Sequence, residues 1–82
     1  METNLLYLHK QDAMRDVQKL ANEKGVVYGE ISDWFIPRDI TPQGEEDVRM
    51  LLNILIYERK IWRFNAFELV TDNITYHFIY LV

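Results

Sequence analysis

Residues 41–82 read TPQGEEDVRMLLNILIYERKIWRFNAFELVTDNITYHFIYLV and decide the predicted fold. The first part of this stretch repeats apolar residues at spacings of three and four, which is typical of an amphipathic helix: Val48, Leu51, Leu52 and Leu55. Two apolar, aromatic-rich segments follow, 61–70 and 74–82, and the polar link Thr71-Asp72-Asn73 between them indicates a β-hairpin. A long helix followed directly by a hairpin predicts an α+β winged helix-turn-helix, with three helices and a wing of two or three antiparallel strands.

The first helix is predicted from Lys10 to Lys24, because its apolar side chains fall on one stripe. Gly25 follows where a left-handed residue commonly ends a helix. The short apolar run at residues 4–8 fits either a strand or the first turn of this helix, and the pattern does not separate the two. Residues 26–28 resemble a short extended segment.

The second and third helices are predicted on either side of a turn. A short helix from Glu30 to Ile36 would bury Ile31, Trp34 and Phe35, and Pro37 would end it. Thr41 is then a suitable N-cap for the third helix, with Pro42 at its first position, where a missing N–H costs nothing. This helix would run to about Arg59.

Composition indicates one globular domain over residues 1–82, intracellular and not bound to membranes. Nearly half of the residues are apolar, and the formal net charge is −4. The chain has no cysteine, which excludes disulfides and thiolate-bound metals. No apolar run approaches the roughly 20 residues that span a bilayer.

The sequence offers little for catalysis. His9 and His77 lie far apart without a nucleophile pattern, and no metal-ligand spacing or glycine-rich phosphate loop is present. His77 alternates with apolar strand residues, which favours a partly buried packing role. We therefore predict a non-enzymatic protein without cofactor, metal or small-molecule substrate.

The charged residues of the predicted third helix indicate whether this helix could bind DNA. Glu45, Glu46 and Asp47 occupy the half that would face the phosphates, and they are better explained by the positive end of the helix dipole. Four basic residues support the alternative of a small dimeric DNA-binding transcriptional regulator: Arg49, Arg59, Lys60 and Arg63. A dimer of this kind could pair its last strands edge to edge.

Aromatic residues of the hairpin favour docking onto protein instead. Both faces of segment 74–82 are largely apolar, so the strand is either covered on both sides or meets a partner on one. Tryptophan, tyrosine and arginine are enriched at protein interfaces. The predicted protein-binding residues, accompanied by Arg63 and with Arg59 and Lys60 as their charged edge, are Trp62, Phe64, Phe67, Tyr76, Phe78 and Tyr80.

One family shares part of this pattern. The segment Asp39-Ile40-Thr41-Pro42 followed by the stretch 48–61, with Leu55-Ile56-Tyr57-Glu58-Arg59-Lys60-Ile61 at its end, resembles a winged-helix domain of the peripheral RNA polymerase III subunit that bridges polymerase and initiation factor. The likeness covers about 25 residues and implies contacts mainly with proteins and a nuclear location; without it, a cytoplasmic location is expected. The function predicted is an interaction module of transcription or DNA-associated machinery that docks onto a protein, or forms a homodimer, through its wing.

Overall fold

The fold is organised around one five-stranded mixed sheet with the strand order β2-β4-β5-β1-β3. A computed structural model describes residues 1–35, 39–53, 56–57 and 63–82. In chain order the elements are β1 (Glu2–Tyr7), α1 (Lys10–Lys24), β2 (Tyr28–Ile31), β3 (Thr41–Pro42), α2 (Glu45–Asn53), β4 (Phe64–Thr71) and β5 (Ile74–Leu81).

The hairpin β4–β5 forms the middle of this sheet. β5 pairs antiparallel with β4 and parallel with β1, so neither of its edges is open. β2 adds antiparallel to β4 at one end of the sheet, and the two-residue β3 adds parallel to β1 at the other. β1 and β2 therefore run in the same direction, with β4 and β5 between them, and α1 connects the two.

One face of the sheet, the α1 face, packs against α1. Ala13, Val17 and Ala21 recur at four-residue spacing on the helix and are buried against the strands. The strands contribute alternate side chains to this core, because successive residues of a strand point to opposite faces: Tyr7, Phe67, Leu69, Phe78 and Tyr80.

The opposite face carries a second core, made of the residues that alternate with the first. Leu6, Phe64, Ala66 and Ile79 are buried there. Trp34, Ile40, Leu51 and Leu81 pack against them as partly buried residues. β5 is thus covered on both sides by its own chain, which explains why both of its faces are apolar.

The winged helix-turn-helix prediction is wrong, although the α+β class is right. The described residues contain two helices and a mixed sheet, where three helices and a separate wing were expected. The β4–β5 hairpin has a neighbouring strand on each side. It therefore forms the centre of the sheet, whereas a wing would lie at its periphery. A dimer that pairs its last strands edge to edge is also incompatible with this sheet, because β5 is paired with β1 on one side and with β4 on the other.

The predicted second helix is the clearest local error. Glu30 and Ile31 belong to β2, where they pair with Phe67 and Ala66 of β4. Asp33 has a positive φ of 55°, which interrupts helical geometry. Ile31 and Trp34 are three residues apart, which suits a short helix. The same spacing also suits the end of a strand followed by a loop residue that packs on a core, so the short pattern did not distinguish the two. Residues 36–38, including the predicted stop at Pro37, lie outside the described residues.

The start of the third predicted helix is also corrected. Thr41 and Pro42 form β3 beside Leu5 and Leu6, and the helix begins at Glu45. An edge strand tolerates proline, because its missing N–H can face away from the sheet. The backbone N–H of Gln43 donates to the Leu6 carbonyl at 2.8 Å, which continues this pairing. Residues 54–55 and 58–62, where the predicted helix ends, lie outside the described residues.

Two local predictions are confirmed, and one alternative that the sequence left open is decided. α1 spans Lys10–Lys24 as expected, and Gly25 ends it in the left-handed conformation with φ 65°. The hairpin turns at Asp72 and Asn73, which both have positive φ, as a two-residue type I′ turn requires. Of the two alternatives for residues 4–8, the strand is correct for all but Leu8.

Candidate interaction surface

The aromatic residues predicted to bind a partner form the two cores. Phe64, Phe67, Phe78 and Tyr80 are each only 2–3 % exposed, and Tyr76 is half-buried at the edge of the first core. Four of these side chains therefore present no surface to a partner in the folded monomer. Trp62 lies outside the described residues.

Two of the predicted DNA-contacting residues have acidic partners. Arg49 pairs with Glu45 one turn earlier on α2, at 3.5 Å, and Arg63 pairs with Asp33 at 3.2 Å. Both pairs are largely exposed, so each contributes little to stability. They do place a carboxylate beside each guanidinium, which lowers its attraction for phosphate. Arg59 and Lys60 lie outside the described residues.

A polar cluster joins the start of α1 to two strands on the α1 face. The Lys10 Nζ lies 3.2 Å from the Glu30 carboxylate, and the Tyr80 hydroxyl donates a hydrogen bond to the same carboxylate. These two bonds lower the pKa of Glu30, while the bond to Glu30 raises the pKa of Lys10. Burial and the bond to Glu30 raise the pKa of Tyr80. The cluster fixes α1 against β2 and β5.

Tyr7 forms a second link between α1 and the sheet. Its hydroxyl donates to Asp16 at 2.7 Å, and its ring stacks on Phe78 at a centroid distance of 6.1 Å. Burial and this hydrogen bond raise the pKa of the Tyr7 hydroxyl. The phenol therefore stays protonated and acts as a structural donor.

A polar row crosses the opposite face at His77. Asn4, His77 and Glu68 are direct neighbours on β1, β5 and β4. His77 Nδ1 lies 3.2 Å from the Asn4 side-chain oxygen, and Nε2 lies 3.0 Å from a Glu68 oxygen. The Trp34 ring covers the imidazole at a centroid distance of 4.3 Å.

The contacts of His77 with Asn4, Glu68 and Trp34 are those of a packed, hydrogen-bonded side chain. His77 is 4 % exposed, and both of its ring nitrogens contact protein side chains, so no reactant can reach them without displacing Asn4, Glu68 or Trp34. The prediction that His77 is a packing residue is thus confirmed by its burial. In the residues described, no group of three or more histidine or acidic side chains is placed to hold a metal.

The exposed apolar side chains of this molecule concentrate on α2 and the residues after it. α2 buries none of its nine residues. Leu51 faces the second core, and Asp47 receives a hydrogen bond from the backbone of Leu8, so α2 is attached along one side only. Large apolar side chains next to this attachment are exposed: Val48 (40 %), Met50 (46 %), Leu52 (50 %), Ile56 (60 %) and Tyr57 (79 %).

We call these residues together the α2 surface: Val48, Met50, Leu52, Ile56 and Tyr57. Val48 and Leu52 lie one turn apart on one flank of the helix, and Met50, two positions from each, lies on the other flank. Val48, Leu52 and Ile56 follow one another at four-residue spacing in the sequence. The acids Glu45, Glu46 and Asp47 form the first turn of the helix and border this surface. With the aromatic hairpin buried, the α2 surface holds five of the ten large apolar side chains that are exposed among the described residues.

Sequence reasoning missed the α2 surface because it placed Val48 and Leu52 on the apolar stripe of an amphipathic helix and gave Met50, Ile56 and Tyr57 no place in that stripe. The signal that could have revealed it is the width of the apolar pattern. Residues 48, 50, 51, 52, 54, 55 and 56 are apolar, which is more than the single stripe that a helix needs on one face. Of the described residues of α2, Leu51 packs against the second core, and Val48, Met50 and Leu52 are exposed to solvent.

Comparison of the chain with protein-family models, with curated proteins and with solved structures returned no match. The resemblance to the RNA polymerase III subunit therefore stays a prediction from residues 39–42 and 48–61. Among the described residues, no helix combines the length and the apolar character needed to cross a membrane.

Proposed function

We propose that this protein is a non-enzymatic interaction module that docks onto another protein through the α2 surface. The proposal keeps the class of function predicted from the sequence and moves the contact from the hairpin to α2. Transcription or DNA-associated machinery is the setting that the sequence resemblance suggests, and an intracellular location stays part of the proposal.

The observation that supports it most is that α2 buries no residue although it is rich in large apolar side chains. Full burial of a leucine- or isoleucine-sized side chain contributes about 1.5–3 kcal/mol, and Leu52 and Ile56, which are 50 % and 60 % exposed, forgo roughly half of that. Several large apolar side chains exposed on one element make that element a candidate interaction site. A partner that covers the α2 surface would recover this free energy.

The acidic border indicates the chemistry of the partner. Glu45, Glu46 and Asp47 lie at the start of α2, and among the described residues Glu45 forms an ion pair with Arg49 whereas Glu46 and Asp47 form none. A partner with lysine or arginine beside an apolar contact would complement this charge, which favours specificity and fast association. We therefore expect an apolar protein surface flanked by basic side chains, of the kind that an amphipathic basic helix presents.

Site-specific photo-crosslinking in the source cell tests the proposal. A benzoylphenylalanine at position 52 replaces an exposed leucine on the α2 surface, and the same residue at position 70 replaces an exposed valine of β4 as a control. We expect a discrete adduct with another protein from position 52 and none from position 70. The additional substitution Val48→Glu should abolish the adduct, because it places a carboxylate within the apolar contact.

Two outcomes would overturn the proposal. Adducts at position 52 that contain only a second copy of the chain would make the α2 surface a self-association site. Binding of random-sequence duplex DNA that is tight at about 50 mM salt and lost at about 200 mM would instead support the regulator alternative. Fluorescence anisotropy of labelled duplex measures that directly.

A further inference from the structure

The two edges of the sheet differ in how they are protected. β3 has two residues, and one of them is Pro42, which cannot donate to a further strand. Short edge strands and proline are common means by which proteins block edge-to-edge pairing. β2 has four residues, Tyr28–Ile31, without proline, and among the described residues it pairs only with β4.

β2 also lacks the charge that commonly guards an open edge. Its single ionisable acid, Glu30, is neutralised by Lys10 at 3.2 Å and held by the Tyr80 hydroxyl. Val27, directly before β2, is 90 % exposed, although a valine in this position could be buried by a neighbouring strand. α1 packs mainly over β4, β5 and β1, and it contacts β2 through the Lys10–Glu30 ion pair.

We propose that two copies of this chain pair antiparallel through β2, with the two-fold axis at Gly29. Two five-stranded sheets would then join into one of ten strands. Such a pair is isologous, so each contact occurs twice. This inference uses the β2 edge and does not depend on the function proposed for the α2 surface.

The sequence of β2 is self-complementary about Gly29. Antiparallel pairing around this residue places Val27 opposite Ile31 of the other copy and Tyr28 opposite Glu30 of the other copy. Val27 and Ile31 lie on the opposite face, while Tyr28 and Glu30 lie on the α1 face. Exposed Val27 would gain an apolar neighbour, and no two like charges would be directly opposite each other.

Gly29 suits the axis position. No heavy atom of the protein lies within 4 Å of the place where its side chain would begin, and its φ is not in the left-handed region. Residue 29 would face its own copy with a Cα–Cα distance of about 4.5–5.5 Å, the spacing of directly opposed residues in antiparallel strands. A side chain can therefore be introduced there without disturbing the monomer.

Disulfide trapping tests both the pairing and its register. The chain has no cysteine, so each single-cysteine variant reports on one position. In the proposed dimer Gly29→Cys brings two thiols within the range of a disulfide, whose Cα atoms lie less than about 7 Å apart. Val27→Cys is the matched control: its two copies would be about 13 Å apart along the strands and would stay unlinked.

We expect Gly29→Cys to form a covalent dimer in a glutathione redox buffer and Val27→Cys to form no covalent dimer. Equal crosslinking of both variants, or of neither, would overturn the proposal.

Sedimentation equilibrium of the cysteine-free chain from about 10 µM to 1 mM gives the second readout, since a short interface forms a weak dimer. Val27→Asp should weaken the dimer about tenfold or more, whereas Val70→Asp and Leu52→Glu should leave it unchanged. Loss of the dimer in Leu52→Glu alone would assign self-association to the α2 surface instead.

Discussion

At the scale of single residues, side-chain bonds to α1 decide how this helix is attached. Glu30 accepts from Tyr80 and Lys10, and Tyr7 donates to Asp16. These bonds join β1, β2 and β5 to one helix, so they fix its position across the sheet. Their contributions differ with burial, because exposed charges are screened by water.

Glu30→Gln gives a prediction with a defined pH dependence. The carboxylate form accepts the two bonds, which lowers the pKa of Glu30 below its ordinary value of 4.5. A group whose pKa is lowered by folding stabilises the protein above its unfolded pKa, and this contribution is lost as the pH falls through the folded pKa. We expect Glu30→Gln to lower the free energy of unfolding by about 0.5–1 kcal/mol at pH 7, a small loss because the Glu30 and Lys10 side chains are 40 % and 49 % exposed.

The difference between wild type and Glu30→Gln should shrink as the pH falls from about 5 to 3, since both chains then carry an uncharged group. Urea unfolding at several pH values measures it. Glu2→Gln is the control, because Glu2 makes no side-chain hydrogen bond or ion pair with the rest of the described chain. A difference that stays constant down to pH 3 would show that the charge of Glu30 is irrelevant to stability.

At the scale of elements, backbone conformation fixes where α1 ends and where the hairpin turns. Gly25 adopts φ 65° at the end of α1, and its N–H donates to the Ala21 carbonyl. Asp72 and Asn73 adopt φ values of 52° and 62° at the hairpin. Aspartate and asparagine tolerate this region better than other side-chain-bearing residues. Lys24 binds Asp72 at 2.8 Å, so the end of α1 and the hairpin turn are held together.

Gly25→Ala tests the conformational requirement by itself. No atom lies within 4 Å of the new methyl group, so the only cost is the left-handed backbone, about 1–2 kcal/mol. Gly29→Ala is the matched control, since it also has free space but no positive φ. Thermal unfolding should show a lower midpoint for Gly25→Ala and an unchanged or slightly higher one for Gly29→Ala. Equal effects of the two substitutions would contradict the conformational explanation.

At the scale of the whole molecule, β5 couples the two cores. Phe78 belongs to the core on the α1 face and Ile79 to the core on the opposite face. Their side chains are 3 % and 0 % exposed, respectively. Because adjacent residues of one central strand serve both cores, neither core can lose its packing while the other stays intact. A single domain of this size usually unfolds in one cooperative step.

Phe78→Ala and Ile79→Ala should therefore shift one common transition. We expect losses of about 3–5 and about 2–5 kcal/mol, respectively, because each substitution removes buried side-chain atoms and leaves a cavity. Far-ultraviolet circular dichroism and tryptophan fluorescence should give the same midpoint in each variant. Val70→Ala, on an exposed site of β4, should change little. Separate midpoints for the two signals in Ile79→Ala would show that the cores unfold independently.

The sequence by itself determined the elements whose signals are local. Helix α1, its glycine end and the β4–β5 hairpin follow from apolar periodicity and turn residues that lie close together in the chain. The same holds for the packing role of His77, which alternates with apolar neighbours. These predictions needed no knowledge of distant contacts, and they are correct.

Only the tertiary structure decided what lies beside the hairpin. The parallel pairing of β5 with β1 joins residues more than 70 positions apart, and no local pattern specifies such a contact. Together with the packing of α1, this pairing buries aromatic side chains that the sequence had offered as an interface. The separate pairing of β2 with β4 makes Glu30 and Ile31 part of a strand. An apolar side chain gains free energy by leaving water whichever partner covers it, so its presence in the sequence cannot say whether the covering atoms come from its own chain or from another.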